Sequence, residues 1–257
     1  MPRMKSRLLS AFLSLLLGAT ASASNIVILV VEEPENYEAP ASMRRFAEQD
    51  LQPLGHQVTL IEGDKPRKHH FEGVIKALKS ADLLMLFSRR RFPPKEQMTA
   101  IREYLDAGKP LVGIRTANHA FSPRPNEVVE DGLLPWPEFA QEVLGGQNAG
   151  YETKGLPYTV SIAPGNESSA LLKGVNPVKI LGCQSLYKVL PLSPGALPLL
   201  VGTAKTDTTP SQPVAWTHTY GAKKARIFYT SLGTPEDMLI TDVRRLLLNA
   251  VSWLVDF

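Results

Sequence analysis

Two short polar runs hold most of the side chains able to do chemistry: Ser88-Arg89-Arg90-Arg91 and Arg115-Thr116-Ala117-Asn118-His119. Each follows an apolar stretch directly, Asp82 to Phe87 in one case and Leu111 to Ile114 in the other. Guanidinium groups offer planar forks of donors suited to carboxylate or enolate oxygens, and imidazole exchanges a proton near neutral pH. The combination suits an anionic or polyhydroxylated small molecule, with His119 as proton carrier and Arg115 beside a developing oxyanion. Three consecutive arginines exceed what a solvated turn with one acid partner requires. Alternation at a strand end would point Arg89 and Arg91 one way and Arg90 the other. Thr116 and Asn118 are further ligand contacts, and Gly113-x-Arg115-x-Ala117 has the form of a nucleophile elbow whose central residue cannot attack.

More candidates lie elsewhere in the chain. Glu35 and Tyr37 follow the apolar run Asn25 to Val31 and suit the orientation of hydroxyl groups. Trp216 and His218 sit two apart in a strand candidate and share a face. A sugar ring can stack there, although core packing also accounts for Trp216. His69 and His70 are adjacent in a basic loop with no third ligand at a useful spacing, so no metal and no cofactor is expected. Cys183 is the single cysteine, which excludes an internal disulfide.

The elements that must position these residues alternate. Asn25 to Val31 and His56 to Ile61 read as strands, with helical stripes at Met43, Phe46 and Leu51 and at Phe71, Val74, Ile75 and Leu78. Pro93 and Pro94 suit a helix start, Met98, Ile101 and Leu105 continue it, and Gly108 before Pro110 ends it. Four strands alternating with three helices predict a parallel, doubly wound sheet with its site at the carboxyl edge. The second half differs. A helical stretch at Phe139 to Leu144 is followed by strand candidates at Thr159 to Ile162, Ser185 to Val189, Leu197 to Gly202, Val214 to Thr219 and Ile227 to Ser231, with Pro and Gly between them. That spacing predicts an antiparallel extension rather than more crossovers. A closing helix is expected over Asp237 to Phe257.

The first 23 residues have a basic start, a short apolar run from Leu8 to Leu17 and small residues ending in Ala21-Ser22-Ala23. This is the pattern of a secretory signal peptide, and it predicts an exported protein, periplasmic or extracellular, with one domain over 24–257. The apolar run is too short to span a bilayer, so no stable membrane insertion is expected once the segment is removed. Arg3, Lys5 and Arg7 are three of the chain's 28 basic residues and no acid accompanies them, so 25 basic and 25 acidic residues remain. That balance removes any global case for nucleic acid as partner. The partner expected is a sugar-like or anionic small molecule.

Asp82 to Phe121, Pro213 to Gly233 and Arg244 to Leu254 resemble the ThuA-like, or trehalose-utilisation, family. The resemblance implies a class I glutamine amidotransferase-like fold: a flavodoxin-like three-layer α/β sandwich with a mostly parallel central sheet. It also implies a link to sugar catabolism, in particular to keto-disaccharides and keto-glycosides, by a hydrolase, lyase or isomerase. Amidotransferases of this fold carry cysteine at the elbow, where this chain has Arg115, so glutamine amidotransfer is not expected. Family members commonly end the late strand in Ser-Leu-Gly-His; here it ends Ser231-Leu232-Gly233-Thr234. Two readings therefore stand: acid-base chemistry on a sugar or keto-glycoside, or a binding module that kept the crevice and lost the chemistry.

Overall fold

The first strand, β1 (Asn25–Val30), is apolar on both faces: Ile26, Ile28 and Val30 enter one hydrophobic cluster, Val27 and Leu29 another. A strand buried on both sides belongs in the middle of a parallel sheet covered on both faces. The computed structural model describes residues 23–32, 37–153, 155–182, 184–204 and 210–255. Residues 1–22 of the expected signal peptide, Glu35 and Cys183 lie outside the described residues.

Beyond β1, the strands are β2 (Gln57–Glu62), β3 (Leu83–Phe87), β4 (Leu111–Ile114), β5 (Tyr158–Ile162), β6 (Leu181–Gly182), β7 (Leu197–Ala204), β8 (Gln212–Tyr220) and β9 (Ala225–Thr230). They form one mixed sheet in the order β2-β1-β3-β4-β9-β8-β7-β5-β6. Pairing is parallel from β2 through β9 and antiparallel from β9 outward. The helices are α1 (Ala39–Phe46), α2 (Val74–Ser80), α3 (Lys95–Asp106), α4 (Pro235–Leu239) and α5 (Thr241–Val255).

The cover follows from the apolar stripes. Met43 and Phe46 of α1, with Val243, Leu246, Leu247, Ala250, Val251 and Leu254 of α5, pack in the cluster containing Ile26 and Ile28. Val74 and Leu78 of α2, with Met98, Ile101 and Leu105 of α3, pack in the cluster containing Val27 and Leu29. Gly108 ends α3 at φ 85°, a conformation that favours glycine. Among the described residues no helix is long and apolar enough to cross a membrane.

Several expectations need correction. Ser185 to Val189 is not a strand. It pairs irregularly with 147–152, through the Tyr151 to Tyr187 bridge and the amide of Gln147 donating to the Val189 carbonyl at 2.9 Å. That arm carries Gly150 at φ 88°, which breaks any regular ladder. The late strand β9 is not simply part of the antiparallel extension: it is parallel to β4 on one side and antiparallel to β8 on the other. The short β6 had no sequence signal, being two residues long. The last helix is two, since Ile240 is extended (ψ 121°) between α4 and α5.

Candidate functional site

Four strand ends converge at the carboxyl edge: β1, β3, β4 and β9. A cavity of about 400 Å³ opens there. After β1 it is lined by Tyr37 and Glu38, after β3 by Arg89, after β4 by Thr116 and His119, and after β9 by Pro235 and Glu236. The arm inserted between β4 and β9 closes it with Tyr151, Gln184, Ser185 and Tyr187. A crevice at this edge is where an α/β sheet offers ligands the least occupied space.

The turns after β3 and β4 are stitched together by backbone. The amide of Arg90 donates to the His119 carbonyl at 3.1 Å and that of Arg91 to the Ala120 carbonyl at 2.6 Å. Arg90 is left-handed at φ 49°, which breaks the strand alternation, so the three arginines go three ways instead of two. Arg89 lines the cavity. Arg90 Nη1 donates to the Ser122 carbonyl at 2.8 Å. Arg91 is buried and clamps Asp64, its Nε 2.7 and 2.8 Å from the two carboxylate oxygens and its Nη2 2.7 Å from Oδ2. Arg90 and Arg91 therefore have other occupations than lining the crevice. The loop after β2 also stays outside it: Asp64 holds Arg91, and His69 stacks on Phe92 with ring centroids 5.1 Å apart.

The Gly113 to Ala117 turn does take elbow geometry, with Arg115 left-handed at φ 45° and its carbonyl receiving the Tyr229 hydroxyl at 2.6 Å. Its side chain turns into the protein, however, and has no exposure. Arg115 Nη1 donates to the Ser231 carbonyl at 2.5 Å. Nη2 reaches Tyr37 Oη at 3.3 Å and the Ser185 carbonyl at 3.4 Å. The rings of Tyr37 and Tyr187 lie 4.3 and 4.8 Å from the guanidinium carbon. Burial opposes this charge, yet with Tyr187, Tyr37 and Tyr158 around it the pKa is raised, and the cation persists. Arg115 thus stands behind the crevice wall rather than in it.

His119 faces the cavity with one edge of its ring. Nδ1 lies 2.5 Å from Asn118 Oδ1; with the amide in that orientation Nδ1 carries the hydrogen, and Nε2 is left as a lone pair for a ligand. Asn118 is buried and acts as the orienter of the ring. Burial first, then the charges of Arg90, Arg89, Arg115 and Arg124, depress the His119 pKa to about 3. His119 is therefore a neutral imidazole that accepts hydrogen bonds and is a weak base. Burial likewise keeps the Tyr187 phenol protonated by raising its pKa.

Trp216 and His218 are not at the crevice. Trp216 lies opposite Tyr229 in the β8–β9 ladder, packs on its ring at 4.4 Å and donates Nε1 to the Leu144 carbonyl at 2.6 Å. His218 lies opposite Ile227, toward the starting end of β9 and away from the carboxyl edge. A Cβ on Gly145 would come within 2.6 Å of the His218 ring, so this face is filled by a glycine turn rather than open to ligand. The aromatic groups that do reach the cavity are Tyr37, Tyr151 and Tyr187. Glu38 and Glu236 also belong to it and were not singled out as ligand contacts from the sequence. Both lie at the starts of helices that pack together, α1 and α4. Thr234 is buried and caps α4: its Oγ1 accepts from the Asp237 amide at 3.1 Å, while Asp237 Oδ2 accepts from the Thr234 amide at 3.0 Å. Among the described residues no cluster of three or more His, Cys, Asp or Glu is placed to hold a metal ion.

No curated protein matches the chain. Among solved structures, one described as a ThuA-like protein from Bacteroides uniformis is 18% identical, with a TM-score of 0.66 over 93% of this chain and 94% of that one. Another from Parabacteroides merdae, also described as ThuA-like, is 18% identical, with a TM-score of 0.59 over 91% of this chain and 90% of that one. These likenesses concern the fold. A family model described as "ThuA: Trehalose utilisation" matches residues 27–254, and the chain belongs to that family.

Proposed function

We propose that this ThuA-family chain is an exported protein that takes a sugar or keto-glycoside into the carboxyl-edge crevice and acts on it by proton transfer at His119. The observation that carries the reading is the composition of one cavity: carboxylates, tyrosines, an arginine and an imidazole line the same 400 Å³. Carboxylates accept from hydroxyl groups, tyrosine rings cover the C–H face of a pyranose, and cations hold an oxyanion. In this reading His119 Nε2 removes a proton from the carbon beside a ketone, and Arg89 and Thr116 receive the oxygen on which charge develops. Helices and apolar clusters on both faces of the sheet support the three-layer, class I glutamine amidotransferase-like assignment. The basic, apolar and small-residue pattern of 1–23 supports export.

Purified mature protein, screened by thermal shift against sugars, keto-sugars and sugar acids, is expected to be stabilised by members of these classes. With a keto-glycoside as substrate, His119→Gln is expected to abolish turnover and retain binding; turnover at the unaltered rate overturns the catalytic role.

The second reading, a binding module without chemistry, draws on His119 itself. An imidazole with a pKa of about 3 is far from the range that favours proton transfer at neutral pH. Stabilisation by sugars with no product formed decides for that reading.

A further inference from the structure

Among the described residues, three of the groups that the Arg115 side chain meets belong to the crevice wall. Tyr37, Ser185 and Tyr187 receive its hydrogen bonds or present their rings to it, and all three line the cavity. Among the described residues no carboxylate pairs with Arg115, and its buried Nε has no hydrogen-bond partner. Leaving a buried charge without a counter-ion costs several kcal/mol. Carbonyl oxygens and aromatic faces hold the cation without neutralising it, so its charge remains to act on the cavity.

We propose that Arg115 is a positioning residue that charges the crevice from behind the Tyr37 and Tyr187 wall, so that the site selects a polyhydroxylated ligand bearing an oxyanion over its neutral counterpart. This rests on the sugar-ligand reading above. Nη2 donates to Tyr37 Oη, which leaves the phenolic hydrogen to be donated in turn, and the adjacent charge strengthens that donation. Burial keeps water from the guanidinium, so its field is screened less than that of an exposed charge. In front of it, Arg89 and His119 line the cavity itself, while Glu38 and Glu236 there carry the opposite sign and suit the ligand's hydroxyl groups. The depression of His119 by Arg115, among other cations, is the same field acting on a resident group.

The test uses the full mature chain with two probes, glucuronate and glucose, in titration calorimetry, and follows the His119 ring proton by NMR in the empty protein. Wild type is expected to favour glucuronate. Arg115→Met is expected to cut that preference by roughly tenfold or more and to raise the His119 titration midpoint; Arg115→Lys keeps both near wild type. Tyr37→Phe, which preserves the ring, is expected to weaken glucuronate more than glucose. Equal losses for the two probes in Tyr37→Phe, or an unmoved His119 midpoint in Arg115→Met, overturn the proposal. Should Arg115→Met fail to fold, Tyr37→Phe decides alone. Should wild type bind neither probe, the sugar reading falls, and the His119 midpoint still judges the charge behind the wall.

Discussion

At the scale of single residues, His119 has its charge state set by its surroundings. Its pKa is lowered from 6.5 to about 3 in the folded chain, so the unfolded chain binds the extra proton first as pH falls. Stability attributable to this residue is therefore whole above the unfolded value near 6.5, declines as pH drops below it, and declines no further below about 3. His69 and His218, also lowered by burial, lose in the same direction. His119→Gln is accordingly expected to lose less stability than wild type between pH 7 and about 4, a difference of about 1–4 kcal/mol in urea unfolding. Parallel curves for the two proteins contradict the depressed pKa. Arg91 teaches a second lesson at this scale. Paired with Asp64 and buried, it secures one loop to another, and its chemistry is spent on structure rather than on ligand.

Among the elements, the loop from β9 into α4 decides how closely the last strand's contribution approaches the elbow. Gly233 has φ 148°, and a Cβ there would lie 2.7 Å from Ile114 Cγ2 at the end of β4. Gly233→Ala must therefore push the loop away from the Arg115 turn. It is expected to destabilise by about 1–3 kcal/mol in thermal unfolding and to weaken ligand binding; wild-type behaviour in both assays refutes the close approach. Thr234→Val removes the cap of α4 and is expected to cost about 1 kcal/mol. A protein as stable as wild type shows that the cap is dispensable. The parallel half was legible in the sequence because β1, β3 and β4 are nearly continuous apolar runs, and because α2 and α3 carry apolar stripes. His119, Thr116, Arg89 and Tyr37 were legible as crevice-lining residues because they lie in the loops that follow those runs. Tyr151, Gln184, Ser185 and Tyr187 were not, because they reach the crevice through an irregular arm whose pairing has no periodic signature. Trp216 shows the opposite failure: alternation assigns a face, but only the sheet order reveals that the face is covered.

The whole molecule has basic and acidic residues in equal number once 1–23 are set aside, so the charges at the crevice act within a body of no net charge. Mass measurement of the protein secreted from a bacterial host is expected to show cleavage after Ala23; retention of the first 23 residues refutes the export reading. The long excursion between β4 and β9 has a consequence in time rather than in space. Leu111 pairs with Ile227, so the ladder that completes the crevice joins positions more than a hundred residues apart, whereas β1 and β3 close over a much shorter loop. Closing the longer loop carries the larger entropy, and non-local pairings form late. The expected order of folding therefore has the first four strands paired while the wall contributed by Ser185 and Tyr187 and the lip at Glu236 are still unmade. Ligand recognition becomes available only with the last docking step, and a bound ligand would report that folding is finished.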